Sequence, residues 1–282
     1  MKRFLRKQNI RVYGEVKKLR VTPKILDDKI IKDGLEGLAQ LNGLEQYFLV
    51  GGIAVQSYIP TSCRRPTSDI DTSILKPLNY RDFLDITKRV KEFMEDKGYS
   101  VEPRKGSRAF SLAFDSKEGD EIILEFVRRN SNNFERHKKR LYREFENTNR
   151  KIVEGRDITY SVKRPEDIAV PKLVRLINSL TRNPSFSKYI PKKLTPLDGE
   201  SIREKINKIT NFRLEAMHNP ADLDLAENLR FVSDLYDIRI LSELVGFNEQ
   251  YFKLAESDWK DLRDDNKIRN KIIQVTCPLF LD

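Results

Sequence analysis

Two aspartates inside an apolar run constrain this chain more than any other feature of its sequence. Residues 48–75 read FLVGGIAVQSYIPTSCRRPTSDIDTSIL, with a Gly-Gly pair, 16 intervening residues, and then Asp69 and Asp71. The alternation in DIDTSIL predicts a strand, and its period of two places both carboxylates on the same face. Because two neighbouring carboxylates repel each other, the pattern indicates a shared cation.

The Gly-Gly pair lies between two predicted elements. QYFLV predicts a buried strand that ends at Gly51, and GIAVQSYI predicts a short helix that begins on the glycines. A helix entered through glycines offers backbone N–H groups and a positive dipole end to a phosphate, which makes Gly51 and Gly52 candidate phosphate ligands. Arg64 and Arg65 lie in the loop before Asp69 and are close enough in sequence to line the same cleft.

A third carboxylate would complete a metal site. Glu125 lies among apolar residues in EIILEFV, and it can face the aspartates if this strand lies beside DIDTSIL. Glu121 shares its face and is the competing choice, although its position next to a turn favours solvation. Since Mg²⁺ prefers hard oxygen ligands, Asp69, Asp71 and Glu125 are candidate ligands of Mg²⁺, with Mn²⁺ as an alternative ion. The alternative interpretation of Asp69 and Asp71 is a pair of ordinary solvated strand residues.

Periodicity divides the chain near residue 164. The predicted elements are a helix within 23–41, the two strands and short helix above, a helix at 80–97, a hairpin of strands AFSLAFD and EIILEFV, one more strand within 151–163, and helices from 165 to about 274. The predicted fold class is α/β (α+β). It comprises an N-terminal mixed sheet with flanking helices at 1–164 and a C-terminal helical bundle domain at 165–282.

Three charged residues stand out in the helical part. Lys172 lies in PKLVRL, on a helix with a largely buried pattern, where it either extends its ammonium to solvent or offers it to a triphosphate. Asp234 and Asp237 lie three residues apart and share one face of a predicted helix. The alternative interpretation of these two aspartates is a salt-bridged surface helix.

The amino-acid composition indicates which kind of partner and which cell compartment suit the protein. The 282 residues include 53 lysines and arginines against 43 acidic residues, a net charge of +10 that suits nucleic acid, although solvated lysine-rich helices have the same composition. The two cysteines form no metal-spaced pair and indicate a reduced, cytoplasmic protein. Residues 1–18 lack the apolar stretch of a signal peptide, and no run is long enough to span a membrane.

The combination resembles the nucleotidyltransferase superfamily of the polymerase-β type, whose pattern is Gly-Gly, a spacer, Asp-x-Asp and a later acid. The long spacer, together with PKLVRL and RFVSDLYDIRIL, resembles the AbiEii and MenT toxins of toxin–antitoxin and abortive infection systems. The resemblance covers about 48–127, 165–176 and 228–241.

The resemblance implies an enzyme that moves a nucleoside monophosphate from a nucleoside triphosphate to an acceptor, namely the tRNA 3′ end, and a cognate antitoxin protein as a partner. The implied catalytic residues are Asp69, Asp71, Glu125, Lys172 and Asp237. The implied nucleotide-binding residues are Gly51, Gly52, Arg64, Arg65, Lys172 and Asp234.

Two alternatives remain open from the sequence. The acceptor could instead be a protein or a small molecule. The fold could also have lost its activity and act as a nucleotide-binding module, although Asp69, Asp71 and Glu125 argue against this reading.

Overall fold

The computed structural model describes residues 23–191, 197–219, 221–259 and 266–277. The N-terminal stretch for which the sequence predicts no signal peptide lies outside these residues. The chain divides into two compact units. The first comprises the chain up to Ser57 and Pro66–Arg164, and the second comprises Tyr58–Arg65 and the chain from Pro165 onward.

A seven-stranded mixed sheet forms the first unit. Its strands are β1 (Tyr47–Val50), β2 (Asp69–Ile74), β3 (Ser100–Lys105), β4 (Ala109–Asp115), β5 (Glu121–Val127), β6 (Asn149–Ile152) and β7 (Thr159–Val162), in the spatial order β3-β4-β5-β2-β1-β7-β6. The β2–β5 and β1–β7 pairs are parallel and the other pairs are antiparallel.

Helices flank the sheet and then make up the second unit. The first unit contains α1 (Lys29–Ala39), α2 (Gly51–Gln56), α3 (Tyr80–Asp96) and α4 (Ser131–Glu146). The second contains α5 (Pro165–Arg182), α6 (Gly199–His218), α7 (Leu223–Leu244), α8 (Glu249–Ser257) and α9 (Asn266–Thr276). The predicted fold class, a mixed sheet with flanking helices followed by a helical region, is confirmed. No helix among the described residues is long and apolar enough to cross a bilayer.

The two faces of the sheet bury different helices. On one face Phe83 of α3 packs on Phe126 of β5, with ring centroids 5.7 Å apart. On the other face Phe134 of α4 belongs to a core cluster around Phe48 of β1, which also includes Val50. Because residues paired across strands point to the same face, Val50 shares its face with its partner Asp71. Helix α4 therefore lies on the sheet face that carries Asp71.

The segment Tyr58–Arg65 is anchored to α7 within the second unit. Tyr236 is buried and its hydroxyl donates to the backbone oxygen of Cys63 at 2.6 Å. A stacked pair of rings, Phe186 and Phe231 with centroids 4.8 Å apart, adds to the core of this unit.

Several predicted elements need correction. The helix predicted within 23–41 begins at Lys29, because Lys24 instead pairs with Thr67 in an isolated β-bridge. Strand β3 was not predicted, because Pro103 and its charged neighbours interrupt the alternation of apolar and polar residues. An edge strand such as β3 tolerates a proline. Residues 151–163 were expected to contribute one strand. They contribute to two, since β6 extends to Ile152 and β7 follows it.

Candidate metal and nucleotide site

The parallel pairing of β2 and β5 assembles three carboxylates. Asp71 lies opposite Glu125 and Asp69 lies opposite Ile123, so the strand adjacency on which the choice of Glu125 depended is present. One carboxylate oxygen from each of Asp69, Asp71 and Glu125 lies within 4.8 Å of the others. Three carboxylates this close repel one another as anions, and oxygen ligands of this kind suit Mg²⁺.

Gly51 makes room for Asp71. A Cβ atom on Gly51 would lie 1.9 Å from Oδ2 of Asp71, and the φ of Gly51 is +75°, in the left-handed region. The antiparallel pairing of Val50 with Asp71 brings the glycine and the carboxylate together. Gly51 is thus required by the geometry of the acidic cluster itself, a role that sequence reasoning did not find.

Gly51 and Gly52 form the start of α2, directly after β1. Their N–H groups belong to the first helical turn, where backbone donors have no partner within the helix. Helix α2 is six residues long, so these local N–H groups matter more than any dipole of the whole helix.

Thr67 orients Asp69. Its hydroxyl donates to Oδ1 of Asp69 at 2.9 Å, and its own backbone is held by reciprocal hydrogen bonds of 2.7 Å with Lys24. Sequence reasoning missed this residue. Its signal was a hydroxyl two positions before Asp69, a spacing that places it on the same face if the strand pattern extends one residue pair backwards.

Glu121 takes part in a different interaction. Nη1 of Arg104 donates to Oε1 of Glu121 at 2.6 Å, across β4 from β3. Within the described part of the chain, the acidic group that could hold a metal contains Glu125 and lacks Glu121.

A network of buried ion pairs occupies the second unit. Nζ of Lys172 donates to Asp234 at 2.9 Å and to Asp237 at 2.8 Å, while Lys172 is 4% exposed and Asp237 is 0% exposed. Asp234 and Asp237 lie on one helix, α7, as predicted, and Lys172 lies on α5. The structure therefore brings these three predicted residues together.

Two arginines complete this network. Arg175 donates twice to Asp234, each time at 2.8 Å, and Arg65 donates to Asp237 at 2.7 and 2.5 Å. Burial raises the pKa of Asp234, but Arg175 and Lys172 outweigh it and hold this pKa well below its ordinary value. Asp234 is therefore ionised, and both aspartates act as acceptors in the buried network.

The two arginines predicted to line a cleft belong to the second unit. Arg65 is 7% exposed and its guanidinium engages Asp237, whereas Nε of Arg64 donates to the backbone oxygen of Ile59 at 3.2 Å. The contact of Arg65 with Asp237 joins residues 172 positions apart, and nothing in the local sequence pointed to it.

No protein family model matches the chain, and no curated protein sequence matches it. Among solved structures, it is similar to an antigenic nucleotidyltransferase-like protein from Paracoccidioides brasiliensis, with 14% identity, a TM-score of 0.38, and coverage of 71% of this chain and 95% of the other. It is also similar to terminal uridylyl transferase 4 from Trypanosoma brucei with bound dUTP, with 15% identity and a TM-score of 0.25. That match covers 74% of this chain and 65% of the transferase, so this chain spans less than two thirds of it.

These structural neighbours are nucleotidyltransferase-like proteins, and nothing in them links the chain to the AbiEii or MenT toxins. With TM-scores this low, the similarity supports no conclusion about the activity of this chain.

Proposed function

We propose that the protein is a metal-dependent nucleotidyltransferase that moves a nucleoside monophosphate from a nucleoside triphosphate to an acceptor hydroxyl. One observation carries the proposal: the carboxylates of Asp69, Asp71 and Glu125 converge within 4.8 Å on one sheet face. The finer proposal, transfer to the tRNA 3′ end by the toxin of a toxin–antitoxin or abortive infection system, is supported by the motif resemblance alone.

The acidic cluster fits Mg²⁺. It offers three hard oxygen ligands, Asp71 and Glu125 are half-buried, and Gly51 leaves space that any other side chain would fill. When bound, Mg²⁺ would neutralise charge on the triphosphate and its leaving group.

The chain itself supplies positioning. Thr67 fixes Asp69 through its hydroxyl, and β-pairing fixes Asp71 beside Glu125. Attack of the acceptor oxygen on the α-phosphorus forms one P–O bond, breaks the bond to the bridging oxygen and releases pyrophosphate. The hydroxyl proton passes to Glu125 or, where Glu125 is instead the third metal ligand, to solvent water. No covalent bond to the protein is needed, so positioning and charge carry the catalysis.

The triphosphate needs donors as well as a metal. We assign it to the N–H groups of Gly51 and Gly52. Neutralisation of a triphosphate by Lys172, with Asp234 and Asp237 orienting its ammonium, stays a prediction of the resemblance. The two hydrogen bonds from Lys172 to these aspartates support the orienting role. Nucleotide binding by Arg64 and Arg65 stays a prediction, and the bidentate pairing of Arg65 favours a part in positioning Asp237.

A transfer assay tests the proposal. The purified protein is incubated with total tRNA, Mg²⁺ and each of the four α-labelled nucleoside triphosphates, beside Asp69→Asn/Asp71→Asn. A matched control is Asp85→Asn, an acid exposed on α3. The proposal predicts label on tRNA with the native protein and with Asp85→Asn, and none with the double variant. Label on the protein itself would replace the tRNA acceptor with a protein acceptor, and no label with any triphosphate would contradict the proposal.

A further inference from the structure

Positive charge is concentrated in and around α4. Residues 128–151 contain nine lysines and arginines against three glutamates, a net charge of +6 in 24 residues of a chain whose total is +10. The sequence prediction assigned no element to this segment, and the proposed catalytic residues include none of it. Its charge therefore calls for a separate explanation.

The helix arranges four of these cations on one flank. Arg136, Lys139, Arg140 and Arg143 follow the spacing i, i+3, i+4 and i+7, which puts neighbouring side chains one turn apart on a shared surface. We call these four residues the α4 cationic stripe. Arg136 and Lys139 are exposed, and neither forms an ion pair with any described residue. Like charges at this spacing destabilise a helix. A bound anion would offset this loss of helix stability.

The carboxylate that pairs with Arg140 of the stripe is shared with a cation outside the stripe. Glu144 is 2% exposed and is shared by Lys163 at 2.7 Å and Arg140 at 3.7 Å. Nη1 of Arg129 is buried without a hydrogen-bond partner among the described residues. Burial lowers the pKa of Arg129 to about 10, against the attraction of Glu144. Around this glutamate the cations are in excess.

His137, within α4, responds to the same excess of charge. Its pKa is lowered first by burial and then by the charges of Arg140, Arg129 and Arg136, with Glu144 opposing them. A histidine that resists protonation in this way lies in a positive field.

The buried apolar face of α4 argues against a membrane as the partner. Its apolar residues Phe134 and Leu141 are buried against Phe48 and Leu75 of the sheet. An amphipathic helix binds a bilayer through an exposed apolar face, and this face of α4 is already covered. A protein partner would be expected to use aromatic or aliphatic anchors, whereas the stripe itself is entirely cationic.

We propose that the α4 cationic stripe binds the sugar-phosphate backbone of an RNA acceptor on the sheet face that carries Asp71. This inference rests on the proposed function and names the surface that holds its acceptor. Arg136 and Lys139 are the exposed members of the stripe, and the planar guanidinium group of Arg136 matches phosphate oxygens in bidentate geometry. Contacts of this kind position a polynucleotide without reading its sequence.

Equilibrium binding of a fluorescein-labelled RNA hairpin with a single-stranded 3′ overhang, without any triphosphate, tests the inference. Arg136→Gln/Lys139→Gln is compared with the native protein across a salt series. The matched control is Lys88→Gln/Arg89→Gln, which removes two exposed charges from α3, on the other sheet face. Because the α4 variant lacks two cations that would each neutralise a phosphate, its dissociation constant should rise at least about tenfold near 0.1 M salt. The slope of the logarithm of the binding constant against the logarithm of the salt concentration should become less steep by about 1.5.

The outcomes separate this inference from the proposed function, because binding is measured without transfer. Weakened binding with a less steep slope in the α4 variant alone supports the stripe, even if the native protein transfers no nucleotide. Equal weakening in both variants would reduce the effect to net charge and overturn the inference. Native affinity and slope in the α4 variant would also overturn it, as would a native protein that binds vesicles of anionic phospholipid and does not bind the hairpin.

Discussion

Oδ2 of Asp71 lies 1.9 Å from the point where a Cβ atom on Gly51 would stand. The backbone of β1 and the proposed metal ligand of β2 therefore share a space that admits no side chain. The relationship joins a glycine motif and an acidic motif that are 20 residues apart in sequence into one structural feature. It also provides a test that needs no substrate.

Gly51→Ala should destabilise the protein far more than Gly119→Ala. Both glycines have φ in the left-handed region, at +75° and +87°, but a Cβ on Gly119 would meet nothing within 4 Å. The conformational cost is about 1 kcal/mol in each case, and the clash with Asp71 adds about 2 kcal/mol at position 51. Urea denaturation measures the loss of unfolding free energy in both variants.

A second substitution identifies the source of the extra cost. Asp71→Gly in the Gly51→Ala background should restore part of the lost free energy of unfolding, because it removes the clashing carboxylate. Strictly additive effects of the two substitutions would contradict the close approach.

Thr67→Val should weaken metal binding while leaving the fold intact. The substitution removes the hydroxyl that donates to Asp69, and loss of such an orienting hydrogen bond typically costs about 10–100-fold in metal affinity. The measurement is the Mg²⁺ concentration that gives half-maximal transfer. Thr87→Val serves as the control, because the Thr87 hydroxyl donates to Phe83 of its own helix. An unchanged Mg²⁺ requirement in Thr67→Val would remove the orienting role.

Asp237→Ala should destabilise the protein by about 3–5 kcal/mol, the usual cost of leaving buried charges without their partner. Asp237 is fully buried and accepts hydrogen bonds from both Lys172 and Arg65. Arg175→Ala should cost about 1 kcal/mol or less, since that side chain is 46% exposed and Asp234 keeps Lys172. Thermal or urea denaturation distinguishes the two variants, and equal losses would argue against a buried network centred on Asp237.

Asp33 should make stability depend on pH below about 4. Burial raises its pKa, but hydrogen bonds from Tyr99, Lys97, Arg156 and Lys29 outweigh this and lower it to about 2. Because the folded pKa lies below the unfolded value, the stabilisation is present above the unfolded pKa and is lost as the pH falls towards 2. The loss amounts to about 2 kcal/mol.

Asp33→Asn provides the comparison for that pH dependence. Denaturation at pH 5, 4, 3 and 2 should show a shallower decline in this variant than in the native protein. Asp85→Asn, at an exposed position, should follow the native curve. Parallel curves for Asp33→Asn and the native protein would refute the assignment.

Local patterns predicted most of the first unit. Alternation located β2, β4 and β5, and the period of two placed Asp69 and Asp71 on one face. Helix α4 was not predicted because its apolar positions are few. Phe134 and Leu141 lie seven residues apart among charged residues. The hydrophobic signal was too sparse there to outweigh the charge.

Local patterns did not predict contacts between distant residues. The pairing of Arg65 with Asp237 depends on tertiary packing, which no local period encodes, and the association of Lys172 with Asp234 was expected from the motif resemblance alone. The choice between Glu121 and Glu125 likewise depended on strand register, because the two lie on the same strand and the same face. The turn beside Glu121 favoured Glu125 in the sequence, and the pairing of Asp71 with Glu125 across β2 and β5 agrees with that choice.

Glu125→Gln and Glu121→Gln, compared in the transfer reaction at increasing Mg²⁺, test whether the Asp69, Asp71 and Glu125 cluster is the catalytic metal site. The two substitutions remove the same charge from β5, four residues apart. Glu125→Gln should lower the rate at least about 100-fold, whereas Glu121→Gln, at a residue whose partner is Arg104, should stay within about threefold of the native rate. Equal rates for Glu125→Gln and the native protein, or equal losses in both variants, would contradict this assignment.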